Sequence, residues 1–463
     1  VKSMQKPMNT ILSAAMASIM CAGTAHAGGF SLYTESNGSA VGNYGAGLAA
    51  EAADASTGWY NPAGLSLIRE QQAVVGGVGV FPSSEITGTT TFATVGVPPY
   101  MQSFTDMDGA ISALVPSFHY ARPLGENSTV GLSIVSPFGL STEWDRLDPV
   151  RYAATFTELL TTNISPEIGG KITENFALGA GIDFQYARVK FNSILGSPAA
   201  LQAIGANPIF LDSYSYNRGH SFGVGFHGGA LLMFNDNHTR LGLNYQSKMN
   251  HKFHGYSRLT GNLASPTLAN HNAVFWSNNL ASNNMEFPEI VTLSAYHDVN
   301  EKVALLGSVV YTGWHVLRTI ELDNVAGFAA GFGQVKLNST ASQYYRNAWR
   351  AAIGANVHVN EQWMLRVGGG YDQTPIRDAF RDVRLPDTNR WALSIGAHYQ
   401  YRPDLGVDVG YTHLFGENAT INKTITAGAG STFNVNAKAE GRADLLGVQA
   451  VWTMDQPVVP AGK

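Results

Sequence analysis

From residue 72 onward this chain repeats one device: short stretches in which bulky apolar residues alternate with small or polar ones. Phe176, Leu178, Ala180, Ile182, Phe184 and Tyr186 fall on one face of such a stretch. Ala177, Gly179, Gly181, Asp183, Gln185 and Ala187 fall on the other. A period of two belongs to a β-strand. A soluble sandwich would hide the apolar face in a core. Here the opposite face is glycine and polar residues, which suits the inside of a transmembrane barrel. The pattern recurs through 363–371, 391–401 and 405–415, with Trp and Tyr near the segment ends, as in the aromatic girdles of outer-membrane barrels.

About fourteen strands are expected, near 73–81, 115–122, 128–137, 162–174, 176–190, 221–234, 239–256, 289–299, 303–320, 345–358, 363–373, 389–402, 405–416 and 438–454. Six connections are tight and carry Asn, Asp, Gly or Pro, the residues that turns require: 123–127, 174–175, 235–238, 300–302, 360–362 and 403–404. Each is followed by a long connection: 138–161, 191–220, 257–288, 321–344, 374–388 and 417–437. Another, 82–114, precedes the first tight turn. Short and long connections alternate without a break, as periplasmic turns and outer loops do, and this puts both chain ends in the periplasm. The expected fold is all-β, a transmembrane antiparallel β-barrel in the outer membrane of a Gram-negative bacterium.

The composition agrees. Of 463 residues, 50 are glycine and only 14% are charged, well away from the soluble average of about 7% glycine and about 25% charge. Lys2 and Lys6 precede an apolar run, and Ala25-His26-Ala27 follows it, so residues 1–27 read as a secretory signal peptide. Cys21, the only cysteine, lies in that leader, and Met20 before it does not fit a lipoprotein signal. A mature chain without cysteine has no disulfide, thiolate metal site or cysteine nucleophile. Lys2 and Lys6 are the only charged residues before 28, so cleavage takes the net charge from −5 to −7. An acidic chain without basic clusters does not suit nucleic acid. No H-E-x-x-H and no glycine-rich phosphate loop is present. His251 and His254 are three apart, hence on opposite faces of a strand. No enzyme activity, cofactor or metal is expected.

Residues 28–72 break the rhythm. They are rich in Gly, Ala and Ser, end in Trp59-Tyr60-Asn61-Pro62-Ala63-Gly64, and include a Pro that cannot donate to a ladder. A small hatch inside the barrel is the natural place for them. The domains expected are a signal peptide (1–27), an N-terminal hatch (28–72), the barrel (73–454) and a C-terminal tail (455–463).

The chain resembles the long-chain fatty acid transporters of the FadL type. Gly28-Gly29-Phe30 and Asn61-Pro62-Ala63 are similar to that family's hatch. Similar to its later strands are Asp372-x-x-Pro375 and Pro386-Asp387-x-x-Arg390-Trp391-x-Leu393-Ser394-x-Gly396. So are Tyr186-Ala187-Arg188-Val189-Lys190 and Glu440-Gly441-Arg442-Ala443. The resemblance implies a fourteen-stranded barrel with an internal hatch. It also implies capture of a hydrophobic substrate at outer loops, binding inside, and sideways exit through a gap opened by a kinked third strand. Two departures accompany it. Met454 stands where a terminal aromatic is usual. Counting from Trp314 reaches Glu321, with Arg318 off register, where some members carry a basic residue.

Candidate residues follow. Arg188 and Lys190 could pair with a substrate carboxylate, although alternation sets them on the lipid side with Phe184 and Tyr186, where lipopolysaccharide phosphates or water are the other partners. Phe30 could line an interior site or plug the hatch core. Phe275 and Trp276 belong to the apolar outer connection 257–288, which with 191–220 would make a capture surface. Ser136, Pro137, Phe138 and Gly139 would mark the wall gap, or a strand end entering a loop. Asn61, Pro62 and Ala63 would pack against that gap, with Asn61 satisfying its freed backbone groups. The expected function is passive uptake of long-chain fatty acids by a monomer surrounded by outer-membrane lipid and lipopolysaccharide. The alternatives are uptake of aromatic or alkane hydrocarbons, an outer-membrane esterase or phospholipase with a serine and a histidine in reach on one wall, and an adhesin.

Overall fold

A computed structural model describes residues 29–428 and 430–454. The expected leader and tail lie outside the described residues. The wall is a closed antiparallel barrel of fourteen strands, in the positions that the alternation marks. The first strand, Gln72–Thr94, pairs without a register shift with the last, Ser431–Thr453, from Gln72 opposite Thr453 to Thr94 opposite Ser431. Pairing of the first and last strands removes the two free ends that an open sheet would present.

Faces sort as the periodicity demands. On the fifth strand, Phe176–Leu195, Leu178 and Ile182 are 45% and 51% exposed, whereas Asp183 and Gln185 are 2% and 1% exposed. The apolar side faces out towards lipid, and the polar side faces a filled lumen. Aromatic pairs mark both ends of the apolar band: Tyr371 with Trp391 at one end and Trp363 with Tyr399 at the other, ring centroids 4.7 and 4.4 Å apart. Trp391 and Tyr399 are eight residues apart, or about 26 Å along a strand, enough to cross a tilted apolar band.

The tight turns use the chemistry expected of them. Asn235, Asp236 and Asn237 all adopt positive φ, which Asn and Asp tolerate. The Asn300 and Asn360 side chains each accept two backbone N–H bonds within their own turns. The long connections differ from the expectation. Several are strand continued past the membrane: Tyr100–Asp108 pairs with the first strand, Thr319–Ala329 with Gly333–Ser342, and Ala419–Thr426 with the last strand. The outer side is thus a crown of β-hairpins, because the alternation does not stop where the bilayer does.

Residues 29–68 fill the lumen as short turns of helix, among them Ala40–Asn43, Leu48–Glu51, Thr57–Tyr60 and Pro62–Leu67. Their seats in the wall are glycines. A Cβ at Gly169 or Gly179 would overlap Pro62, one at Gly229 would overlap Asn61, and one at Gly242 would overlap Ala49. Across the lumen, Gly368, Gly410 and Gly447 make the same room for Asn43, Gly42 and Gly38.

Candidate functional site

The third wall strand is broken. It runs Ser128–Val135, stops, and resumes as Gly139–Glu143. Val135 is opposite Asn163 and Gly139 is opposite Leu160, so three residues bulge against two of the fourth strand. Pro137 has no N–H to give a ladder. The Thr161 hydroxyl repairs part of the loss: it accepts from the Phe138 N–H at 3.0 Å and donates to the Phe138 carbonyl at 2.6 Å.

On the other edge the wall is open. The second strand, Ala113–Leu124, pairs with the third only from Phe118 opposite Ile134 to Leu124 opposite Ser128. Residues 113–117 pair with the first strand alone. Contact resumes only at the Ala110–Thr142 bridge. The five unpaired positions span about 17 Å, and Pro116 among them lacks the donor that pairing would use.

The hatch's first residues occupy that edge. Ser31 makes an antiparallel bridge with Phe138. The Leu32 N–H donates to the Pro137 carbonyl at 2.8 Å, and the Gly139 N–H donates to the Phe30 carbonyl at 2.9 Å. Gly29, at φ +77°, turns the chain into place where a Cβ would press on Pro375 and Trp314. Its N–H donates to Asp387 at 2.9 Å.

Phe30 and Phe138 meet at the centre of a buried apolar cluster in the lumen. The Phe30 ring lies 4.5 Å from Trp314, 5.7 Å from Phe287 and 5.9 Å from Phe138, all edge-on. Val189, Met249 and Phe253 extend the cluster. The wall break and the lumen cluster are therefore one continuous apolar region, closed by three residues of the hatch.

Not every expected residue comes to it. Asn61, Pro62 and Ala63 do not face the break. The Asn61 amide donates to the Ala49 carbonyl at 2.6 Å and the Ala230 carbonyl at 3.0 Å, and Pro62 lies on Gly169 and Gly179. Gly169 lies nine residues along the fourth strand from Leu160, the partner of Gly139. Asn61 instead caps the turn at Pro62–Leu67 by accepting from the Ala63 N–H. The freed groups at Pro137 and Phe138 are met by Leu32 and Thr161.

Arg188 and Lys190 face outward, as alternation has it, and both pair with Glu158, Arg188 at 2.8 Å and Lys190 at 3.3 Å. The structure does not bring them to the lumen. Phe275 and Trp276 are neighbours in one strand, Val274–Phe287, so they part to opposite faces. Phe275 packs with Leu259 and Leu263 under the outer hairpins. Trp276 is 48% exposed beside Tyr256 and the Arg258 guanidinium. A second outer cluster, with Trp144, Tyr152, Phe92 and Phe433, had no counterpart in the sequence reading. Glu321 is exposed, where it presents no charge to the lumen. His251 is buried in the lumen and His254 is exposed.

Two hydrolase-like features are present. Gly219 to Gly223 spells G-x-S-x-G, but mid-strand rather than at a strand-to-helix turn. His119 Nδ1 and Ser133 Oγ are 2.9 Å apart, yet both residues are fully buried under the hatch, and His119 Nε2 is held by the Ser36 carbonyl. The hatch covers the His119–Ser133 pair, and Ser221 of the motif has no histidine hydrogen-bonded to it among the described residues.

Residues 18–454 match the family model for outer membrane protein transport protein (OMPP1/FadL/TodX). Outer membrane protein P1 of Haemophilus influenzae is 28% identical, covering 96% of this chain and 99% of its own. The long-chain fatty acid transport protein of Escherichia coli O157:H7 is 27% identical over 90% of this chain and 95% of its own. Among solved structures, a Pseudomonas aeruginosa FadL homologue superposes with a TM-score of 0.77 at 23% identity, covering 92% of this chain and 99% of its own. The Ralstonia pickettii toluene transporter TbuX gives 0.61 at 18% identity, covering 90% and 99%.

Proposed function

From the premise that this chain belongs to the outer-membrane transport protein family of OMPP1, FadL and TodX, and is a transporter of hydrophobic compounds rather than an enzyme, we propose that it takes up long-chain fatty acids by passive diffusion and releases them sideways through its wall. The observation that carries this reading is the continuity of the break at Ser136 to Gly139 with the lumen cluster through Phe138 and Phe30. An acyl chain gains about 0.8 kcal/mol per methylene buried, so an apolar path favours it over a watery one.

Capture begins at the outer hairpins, where Phe275 lies in one apolar cluster and Trp144 and Tyr152 in another. The substrate then displaces Phe30 from the lumen cluster. Withdrawal of Phe30 to Leu32 uncovers the edge of the third strand, and the substrate leaves between the second and third strands into the outer leaflet. Arg188, Lys190, Arg218, Lys252 and Arg258 stand outside on the fifth to seventh strands, beyond the apolar band. There they would meet lipopolysaccharide phosphates. A barrel closed by its own first and last strands needs no second copy to complete its wall, which supports the monomer reading.

The second reading, uptake of aromatic or alkane hydrocarbons, draws on the same cluster, whose centre is aromatic and uncharged. Mass spectrometry of compounds extracted from the purified protein separates the two. Free fatty acids support the first reading; hydrocarbons without fatty acids replace it with the second.

A further inference from the structure

Three buried arginines of this molecule's outer half are matched to a carboxylate. Arg151 pairs with Asp212 at 2.9 Å, Arg381 with Asp378 at 2.7 Å, and Arg390 with Asp387 at 3.0 Å. Arg384 is different. Its Nη1 donates to the Thr157 hydroxyl at 2.9 Å and its Nη2 to the Ala153 carbonyl at 2.7 Å, both neutral acceptors. The ring of Phe191 lies 5.8 Å from its guanidinium carbon. Asp382, the nearest acid in sequence, is turned to accept the Arg384 backbone N–H at 2.8 Å. A guanidinium carries five N–H donors in a planar fork that matches a carboxylate. Two are used to aim it, and burial works against its charge.

Its position is as telling as its partners. Val383 belongs to the outer apolar cluster with Trp144, and Leu385 belongs to the lumen cluster with Phe30. Arg384 stands between them. Backbone contacts on both sides hold the segment: the Trp144 indole donates to the Val383 carbonyl at 3.1 Å, and the Thr142 hydroxyl to the Arg384 carbonyl at 3.0 Å. A chain with one apolar tail and one anionic end, passing from the Trp144 cluster to the lumen along the 383–385 segment, carries its charge past this point.

We propose that Arg384 binds the substrate's carboxylate at the passage between the two apolar clusters and so selects long-chain carboxylates over uncharged hydrocarbons. The inference deepens the fatty acid reading and rests on it. Thr157 and the Ala153 carbonyl are positioning groups that keep the fork open towards the passage.

The test compares binding of oleate and oleyl alcohol to the purified full-length protein and to R384Q and R384K. The alcohol has the same tail and no charge. R384Q should weaken oleate binding about tenfold to a hundredfold, the range of a charge-assisted hydrogen bond, and leave the alcohol unchanged. R384K, which keeps the charge but not the fork, should recover part of the loss. Heat-modifiable migration on gels confirms that each variant is a folded barrel. Equal losses for both ligands, or none for either, overturn the assignment while the uptake reading stands. Wild-type protein that binds the alcohol but not oleate overturns both the assignment and the fatty acid reading.

Discussion

On the proposed exit route Phe30 is the side chain that holds the wall closed, and truncating it gives a quantitative test. Phe30 is 5% exposed and touches Trp314, Phe287, Phe138 and Tyr345. Replacing a buried Phe by Ala costs about 3–5 kcal/mol. In Phe30→Ala the barrel's ladder is untouched, so the loss falls on docking of residues 29–32 to the third strand. What remains is the buried Leu32 side chain, two backbone bonds, at Leu32 and Gly139, of about 1 kcal/mol each, and the Gly29 bond to Asp387, worth about 1.5–3 kcal/mol. A loss of even 3 kcal/mol moves the docked-to-undocked ratio by about two decades. Ser31 is the reporter, because it is 8% exposed and bridges Phe138. In a Cys21→Ala background, Ser31→Cys is the only thiol. Its labelling by a membrane-impermeant maleimide should be slow, and Phe30→Ala should speed it at least tenfold. A thiol equally protected with and without the Phe30 ring would refute the idea that this ring holds the gate.

Three further outcomes are expected. Gly179→Ala places a Cβ against the Pro62 carbonyl carbon, so overpacking of about 1–3 kcal/mol should loosen the hatch, read as faster proteolysis before residue 72 and raised ion conductance in planar bilayers. Glu35 is buried in the hatch with one oxygen lacking a hydrogen-bond partner, and burial pushes its carboxyl up to about 7. A raised carboxyl stabilises the docked hatch fully below the ordinary carboxylate range, and this support fades as pH rises through 7. Protease protection of the hatch should therefore fall between pH 5 and pH 8, by at most about 3 kcal/mol, and Glu35→Gln should flatten the slope. On the outer surface, replacing Arg218 and Arg258 together by Gln should reduce co-purified lipopolysaccharide, measured by its phosphate, without changing the yield of folded barrel.

The barrel was legible in the sequence because its rule is local. A period of two sorts faces whether the apolar side meets lipid or core, and Asn and Asp at turns announce themselves by their own side chains. All fourteen strands stood where alternation marked them. The rule also set Arg188 and Lys190 outside, and it forbids Phe275 and Trp276, adjacent in a strand, from sharing one groove. The site was harder, since it depends on which distant segments meet. Pro137 signalled a break, but not which residues would fill it. The Asn61-Pro62-Ala63 triplet drew attention by its composition, yet its place was set by the glycines at 169, 179 and 229, whose role shows only when three strands lie side by side. Pro116 was the overlooked signal: a second proline, on the neighbouring strand, marks the other lip of the opening. Thr161 carried none, since a buried threonine in a strand is unremarkable until its hydroxyl is seen standing in for a ladder bond.

The glycine seats beneath the hatch bear on what else can cross this membrane. Where main chain rests directly on main chain, as at Gly169, Gly179 and Gly242, few side chains are left to swing aside. Residues 29–32 hold to the wall in a different way, by a short run of backbone bonds and the side chains of Phe30 and Leu32. Loosening them therefore leaves the glycine-seated remainder undisturbed. On the proposed route, a cell carrying this protein should keep its impermeability to ions and sugars while a greasy molecule passes. The two permeabilities would then rest on separate parts of the same forty residues, and a mutation in one part should leave the other permeability unchanged.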